Sequence, residues 1–236
     1  MNTLLTVSVG IIAIGIIIVL VYILRLRAKF GSGDSTFWER EIRKYEKYDV
    51  EDPPTEGAIL FTGSSSIRYW KTLKEDMAPL HVMNRGFGGS RIIDVTHYLD
   101  RIVFPYKPKS IVFYAGENDL SGLFYTKKKT SEEVKNDFRE FCEQVHEQLP
   151  GVPIYFISIK PPKRRKNLWD SMKRANSLIE EFCKSNDLLS YIDIVSPMLD
   201  AEGIPRPELF KWDGIHMNDR GYEIWTSIIK SILLQS

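Results

Sequence analysis

Cysteine is scarce in this chain of 236 residues: Cys142 and Cys183 are the only two, and neither belongs to a C-x-x-C pair. That excludes a disulfide framework and a thiolate zinc site. Two buried thiols are the expected state, each beside a phenylalanine (Phe141, Phe182) in a helical-looking stretch, with one disulfide between them left open. Charge of one sign is scarce as well. Thirty-two basic and 31 acidic residues leave a net charge of +1, which gives no electrostatic footprint for nucleic acid as a partner. There is no internal repeat, and no low-complexity tract beyond one apolar run. What is present is ordinary for a globular chain, 43% hydrophobic and 27% charged residues, enough for one domain with a sizeable core.

The apolar run, Leu4 to Leu24, holds no charged residue over 21 positions. At about 1.5 Å per residue a helix of that length matches the ~30 Å hydrocarbon core of a bilayer. A cleavable leader wants a positive start and a small-residue cleavage site. No Lys or Arg precedes the run, and Arg25-Leu-Arg27-Ala-Lys29 offers no such site. Residues 1–29 are therefore expected to form a single-pass transmembrane anchor. Arg25, Arg27 and Lys29 place the rest of the chain on the cytoplasmic side by the positive-inside rule, with the opposite side still open because only three residues precede the run.

Residues 30–56 are expected to be a partly helical connector, with Phe37, Ile42 and Tyr45 at helical spacing and a stop at Asp52-Pro-Pro-Thr-Glu-Gly57. From 57 to 236 short apolar runs alternate with amphipathic stretches. The spacing predicts strands at 58–62, 82–84, 110–115, 153–158 and 191–194. It predicts helices through Ile92–Ile102 with Ser90 as N-cap, 132–149 behind the capping box Thr130-Ser-Glu-Glu133, Met172–Phe182, and Tyr222–Ile232 with Asn218 as N-cap. Alternating strands and helices imply a three-layer α/β/α architecture on a five-stranded parallel sheet. In such sheets ligands bind beyond the carboxyl ends of the strands.

Four clusters stand there: Gly63-Ser64-Ser65-Ser66, Gly86-Phe-Gly-Gly89, Gly116-Glu-Asn118-Asp119 and Asp213-Gly-Ile-His216. Each has a plain reading. The serines can cap a helix, the glycines can form a turn, Asn118-Asp119 can form an Asx turn, and His216 can be a packing residue, as His81, His97 and His146 are taken to be. Together they supply a hydroxyl, an imidazole able to accept its proton at neutral pH, and a carboxylate three residues away to orient that ring. The stretch Lys160-Pro-Pro-Lys163-Arg164-Arg165-Lys166 follows the fourth strand. Arg164, Arg165 and Trp169 are candidates there for substrate contact, against the plainer reading of a solvated loop.

In order and placement these blocks resemble the SGNH/GDSL hydrolase superfamily over about residues 57–234, closest to its platelet-activating-factor acetylhydrolase-like and lysophospholipase/thioesterase-like branch. Gly63-Ser64-Ser65 stands for G-D-S with serine in the aspartate's place. Gly89 stands for the second-block glycine, Gly116-Glu-Asn118-Asp119 for G-x-N-D, and Asp213-Gly-Ile-His216 for D-x-x-H. The resemblance implies a flavodoxin-like fold and hydrolysis of an acyl ester or thioester, lipid or small molecule. It implies Ser65 as nucleophile, Asp213 and His216 completing a triad, and Ser65, Gly89 and Asn118 as oxyanion donors. Such chemistry calls for no metal and no cofactor. Two other readings stay open: a flavodoxin-like phosphate or flavin module built on Thr62–Ser66, and an inactive scaffold.

Overall fold

Five short runs form the sheet in the computed structural model, which describes residues 2–31, 34–122 and 126–235. They are β1 (Ile59–Gly63), β2 (Val82–Gly86), β3 (Ser110–Tyr114), β4 (Ile154–Ile157) and β5 (Leu189–Ile192). All pair in parallel, in the spatial order β2-β1-β3-β4-β5. Successive side chains of a strand point to opposite faces, so each run feeds two cores. Leu60, Ile111, Phe113 and Phe156 join one apolar cluster. Ile59, Phe61, Val112, Tyr114 and Ile157 join the other.

Helices cover both faces, as a parallel sheet requires. They run in order α1 (Asn2–Gly31), α2 (Glu39–Glu51), α3 (Ser65–Arg68), α4 (Leu73–Met77), α5 (Ile92–His97), α6 (Leu99–Ile102), α7 (Glu117–Ser121), α8 (Ser131–Gln148), α9 (Trp169–Cys183) and α10 (Asp219–Leu233). On the first face α8 buries Val134, Phe138, Phe141 and Val145, and α9 buries Met172, Ala175 and Ile179. On the second face α10 buries Tyr222, Trp225 and Ile229 against Ile67, Trp70 and Met77. The expected caps form: Thr130 and Glu133 make the reciprocal box on α8, and the Asn218 side chain accepts the Gly221 N–H on α10.

Several expectations need correcting. Arg91, not Ser90, is the N-cap of α5, and the Asp94 carboxylate satisfies its backbone N–H at 2.8 Å. Ser90 instead turns its hydroxyl onto the carbonyls of Phe87 and Gly63. The last strand begins two residues earlier than its apolar pattern suggests, because Ser190 lies opposite Tyr155 in the ladder. The stretch after residue 34, expected to be a partly helical connector, carries α2 and packs onto the first core. Trp38 and Ile42 are buried in the first core, and Arg101 pairs with both Glu39 and Glu46 of α2. Cys142 and Cys183 are free and buried, with burial pushing both thiols up.

The expected transmembrane span is not supported either. Among the described residues no helix is long and apolar enough to cross a membrane. Part of the run expected to do so, the side chains of Leu4–Val7 and Val9, lies outside the described residues. The described part of α1 leaves Ile11, Ile12, Ile14 and Ile16–Ile18 exposed.

Candidate active site

The strand order reverses between β1 and β3: the chain leaves β1 outward to β2, then returns to β3. Such a switch point opens a crevice at the carboxyl ends of the strands. The first side of the crevice is set by a glycine. Gly63 closes β1 with φ +126°, and a Cβ there would lie 2.0 Å from the Tyr114 carbonyl oxygen. This approach lets the Ser64 N–H donate to that carbonyl at 2.8 Å, which turns the chain upward so that α3 starts at Ser65.

The opposite side comes from the loop before α10. Lys211 N–H donates to the His216 carbonyl at 2.8 Å, and Gly214 N–H to the Lys211 carbonyl at 2.9 Å. Asn218 ties the loop down by donating from Nδ2 to the Glu208 carbonyl at 2.8 Å while it caps α10. Inside this turn Asp213 Oδ1 accepts the N–H groups of Ile215 and His216, both at 2.9 Å. Its Oδ2 lies 2.6 Å from His216 Nδ1, and His216 Nε2 lies 3.0 Å from Ser65 Oγ. Burial works to raise the Asp213 carboxyl, but the His216 side chain and the two backbone donors outweigh it and hold the group at about 2. A carboxylate ionised at neutral pH favours the ring tautomer with its hydrogen on Nδ1, leaving Nε2 free to accept a proton. Tyr69 stands edge-on to the His216 ring, with centroids 4.9 Å apart, and limits its swing.

Ser65 and His216 share a cavity of about 250 Å³ with Arg68, Tyr69, Gly88, Gly89, Asn118, Arg165 and Ile215. The N–H groups of Ser65 and Gly89 have no partner among the described residues. Asn118 Nδ2 donates one hydrogen to the Ser90 carbonyl at 3.0 Å and keeps a second. Three donors thus line one wall beside a hydroxyl–imidazole–carboxylate chain. Such a wall can stabilise negative charge developing on an oxygen. Among the described residues no group of His, Cys, Asp and Glu could hold a metal ion.

Of the three candidates in the basic stretch, only Arg165 lines this cavity. Arg164 faces a separate hollow of about 470 Å³ with Lys163, Lys211 and the exposed Trp212. Trp169 packs against the cores at the start of α9. Sequence reasoning missed Arg68, Tyr69 and Ile215. Position alone marked two of them, since Arg68 lies one helical turn past Ser65 and Ile215 sits within the Asp213–His216 block. It also missed the burial of Glu117 and Lys160 beneath the site.

A sequence model of the GDSL-like lipase/acylhydrolase family matches residues 51–224. No curated protein matches the chain. Among solved structures it is similar to a GDSL-like lipase from Bacteroides thetaiotaomicron, with 20% identity, TM-score 0.69, and 82% of this chain and 97% of that one covered. It is similar to a proposed acylhydrolase from Bacteroides fragilis at 17% identity, TM-score 0.72, covering 82% and 95%. The lipase/acylhydrolase from Enterococcus faecalis gives 20% identity, TM-score 0.61, and covers 75% and 95%.

Proposed function

The chain belongs to the GDSL-like lipase/acylhydrolase family and is an ester-hydrolysing enzyme of the SGNH type, and from that premise we propose a serine mechanism acting on short acyl groups. Ser65 Oγ attacks the ester carbonyl as His216 Nε2 takes its proton. The tetrahedral oxyanion rests on the N–H groups of Ser65 and Gly89 and on Asn118 Nδ2. His216 returns the proton to the leaving alcohol, an acyl-Ser65 forms, and water activated by the same ring releases the acid. Asp213 keeps the ring in the required tautomer.

The observation that carries this reading is the unbroken chain from Ser65 Oγ through His216 to Asp213, at 3.0 and 2.6 Å. The short acyl group is supported by the size of the cavity, about 250 Å³, against the ~300–1,000 Å³ of sites that enclose larger ligands. Hydrolysis of nitrophenyl esters from acetyl to decanoyl tests both parts. Ser65→Ala abolishes turnover and fluorophosphonate labelling, and kcat/KM falls as the chain lengthens. Full activity in Ser65→Ala sinks the mechanism, and a preference for decanoyl sinks the short acyl group.

Attachment to a membrane through residues 1–29 belongs to the same proposal. The uncharged run and the exposed isoleucines of α1 support it. Release of the full chain from membranes by alkaline carbonate, without detergent, refutes it.

A further inference from the structure

Two buried charged groups, Glu117 and Lys160, lie beneath the site and Arg165 lines it, and the proton relay has no use for any of them. Glu117 and Lys160 are 4% and 1% exposed. Taking such charges out of water is costly unless they are paired with good geometry, so what they are paired with is informative. Glu117 opens α7, directly before Asn118. Lys160 follows β4, and Arg165 lies on the loop beyond it. Lys160 Nζ donates to Glu117 Oε2, which also accepts the Tyr114 hydroxyl at 3.0 Å. Arg165 Nη1 donates to the other oxygen, Oε1, at 2.8 Å. Burial works to raise the Glu117 carboxyl, but the two cations prevail and hold it low. Both carboxylate oxygens are therefore taken, and the guanidinium is clamped from one side.

The same Arg165 Nη1 reaches Asn118 Oδ1 at 3.3 Å. Asn118 is thus held at both ends of its amide, with Oδ1 facing a cation and Nδ2 facing the Ser90 carbonyl. A flipped amide would set oxygen against the Ser90 carbonyl and NH2 against the guanidinium, losing both bonds. One orientation remains, and in it the spare Nδ2 hydrogen is the group available to the site.

We infer that Arg165, clamped by a Glu117 carboxylate that Lys160 holds in place, is a positioning residue that fixes the Asn118 amide as an oxyanion donor. The inference rests on the serine mechanism proposed above. It also explains why a guanidinium that lines the cavity spends one nitrogen on protein acceptors: it acts through Asn118. A lysine at 165 keeps the charge but offers a point donor in place of a planar fork, so it restores the clamp only in part.

A double-mutant cycle on the full chain tests this. Removing one oxyanion donor costs ~10²–10³ in turnover. Arg165→Gln is expected to lower kcat about 10²-fold with KM changed less than about threefold, equally on neutral and anionic short-chain esters, and Arg165→Lys to fall between. In an Asn118→Ala background the same substitutions are expected to cost less than about threefold more, because residues acting as one unit are not additive. Thermal unfolding identifies any variant that fails to fold, and Arg165→Lys then carries the cycle. The inference is overturned by losses that multiply in the double mutant, or by a loss confined to KM for the anionic ester. A wild type that hydrolyses no ester defeats the mechanism itself, a different failure from either of these.

Discussion

Replacing Asp213 with asparagine tests the relay most directly. Oδ1 already holds the N–H groups of Ile215 and His216 at 2.9 Å. An asparagine keeps its carbonyl on those two donors and must turn its NH2 toward His216 Nδ1. The ring then accepts at Nδ1 and carries its hydrogen on Nε2, pointing at Ser65 Oγ 3.0 Å away. In that tautomer the imidazole cannot take the serine proton. A triad with its ring in the wrong tautomer loses about 10⁴ in kcat, or about 5 kcal/mol of barrier. The assay is kcat/KM for nitrophenyl acetate together with the rate of fluorophosphonate labelling, and circular dichroism checks the fold. Both rates should fall together, since both need a deprotonated Ser65. A folded variant within tenfold of wild type would refute the reasoning. Acid inactivation gives a related check. The lowered Asp213 carboxyl favours the fold above its ordinary value, and that contribution is lost as pH falls through about 2. Activity lost between about pH 7 and 4 must come from another group.

Two further predictions concern the frame of the site. Gly63→Ala puts a Cβ 2.0 Å from a backbone carbonyl at φ +126°, so urea unfolding should show a loss beyond about 3 kcal/mol. A loss under about 1 kcal/mol would mean that the β1–β3 approach is not what turns the chain into Ser65. Asp119 is buried with Oδ2 unpartnered, and burial lifts its carboxyl from 3.8 to about 7. A raised carboxyl favours the fold fully below its unfolded value, and the benefit is lost as pH rises through the folded one. Relative to Asp119→Asn, the wild type should lose stability of order 4 kcal/mol from pH 4 to above 7. Parallel stability curves for the two proteins would rule this out.

Some of this was legible in the chain because it is local. Short apolar runs bounded by turn signals fit strands covered on both faces, and this predicts all five, with ends shifted by up to two residues. The Thr130–Glu133 box and the Asn218 cap are contacts across three residues, so their spacing suffices. The α5 start was misread because Ser90 is a better cap by type. Its hydroxyl turns onto the carbonyls of Phe87, three residues back, and Gly63, 27 residues away, and the second contact is one that no local rule sees.

The opposite case is the basic stretch after β4. As sequence it reads as a solvated loop, since lysine and arginine are rarely buried. Only the fold sets Lys160 and Arg165 against Glu117, a carboxylate more than 40 residues earlier. Only the fold separates Arg165 from its neighbour Arg164 and carries Trp169 out of the cavity.

By itself the sequence determined the alternating strands and helices, the family, and the four clusters at the strand ends, because each is written in residue types a few positions apart. The tertiary structure decided which of three serines meets the imidazole: Ser65, with His216 151 residues away at 3.0 Å. It also decided which cations reach the cavity. Both depend on where strand ends converge, and hydrogen-bond geometry a few tenths of an ångström wide cannot be read from spacing along a chain.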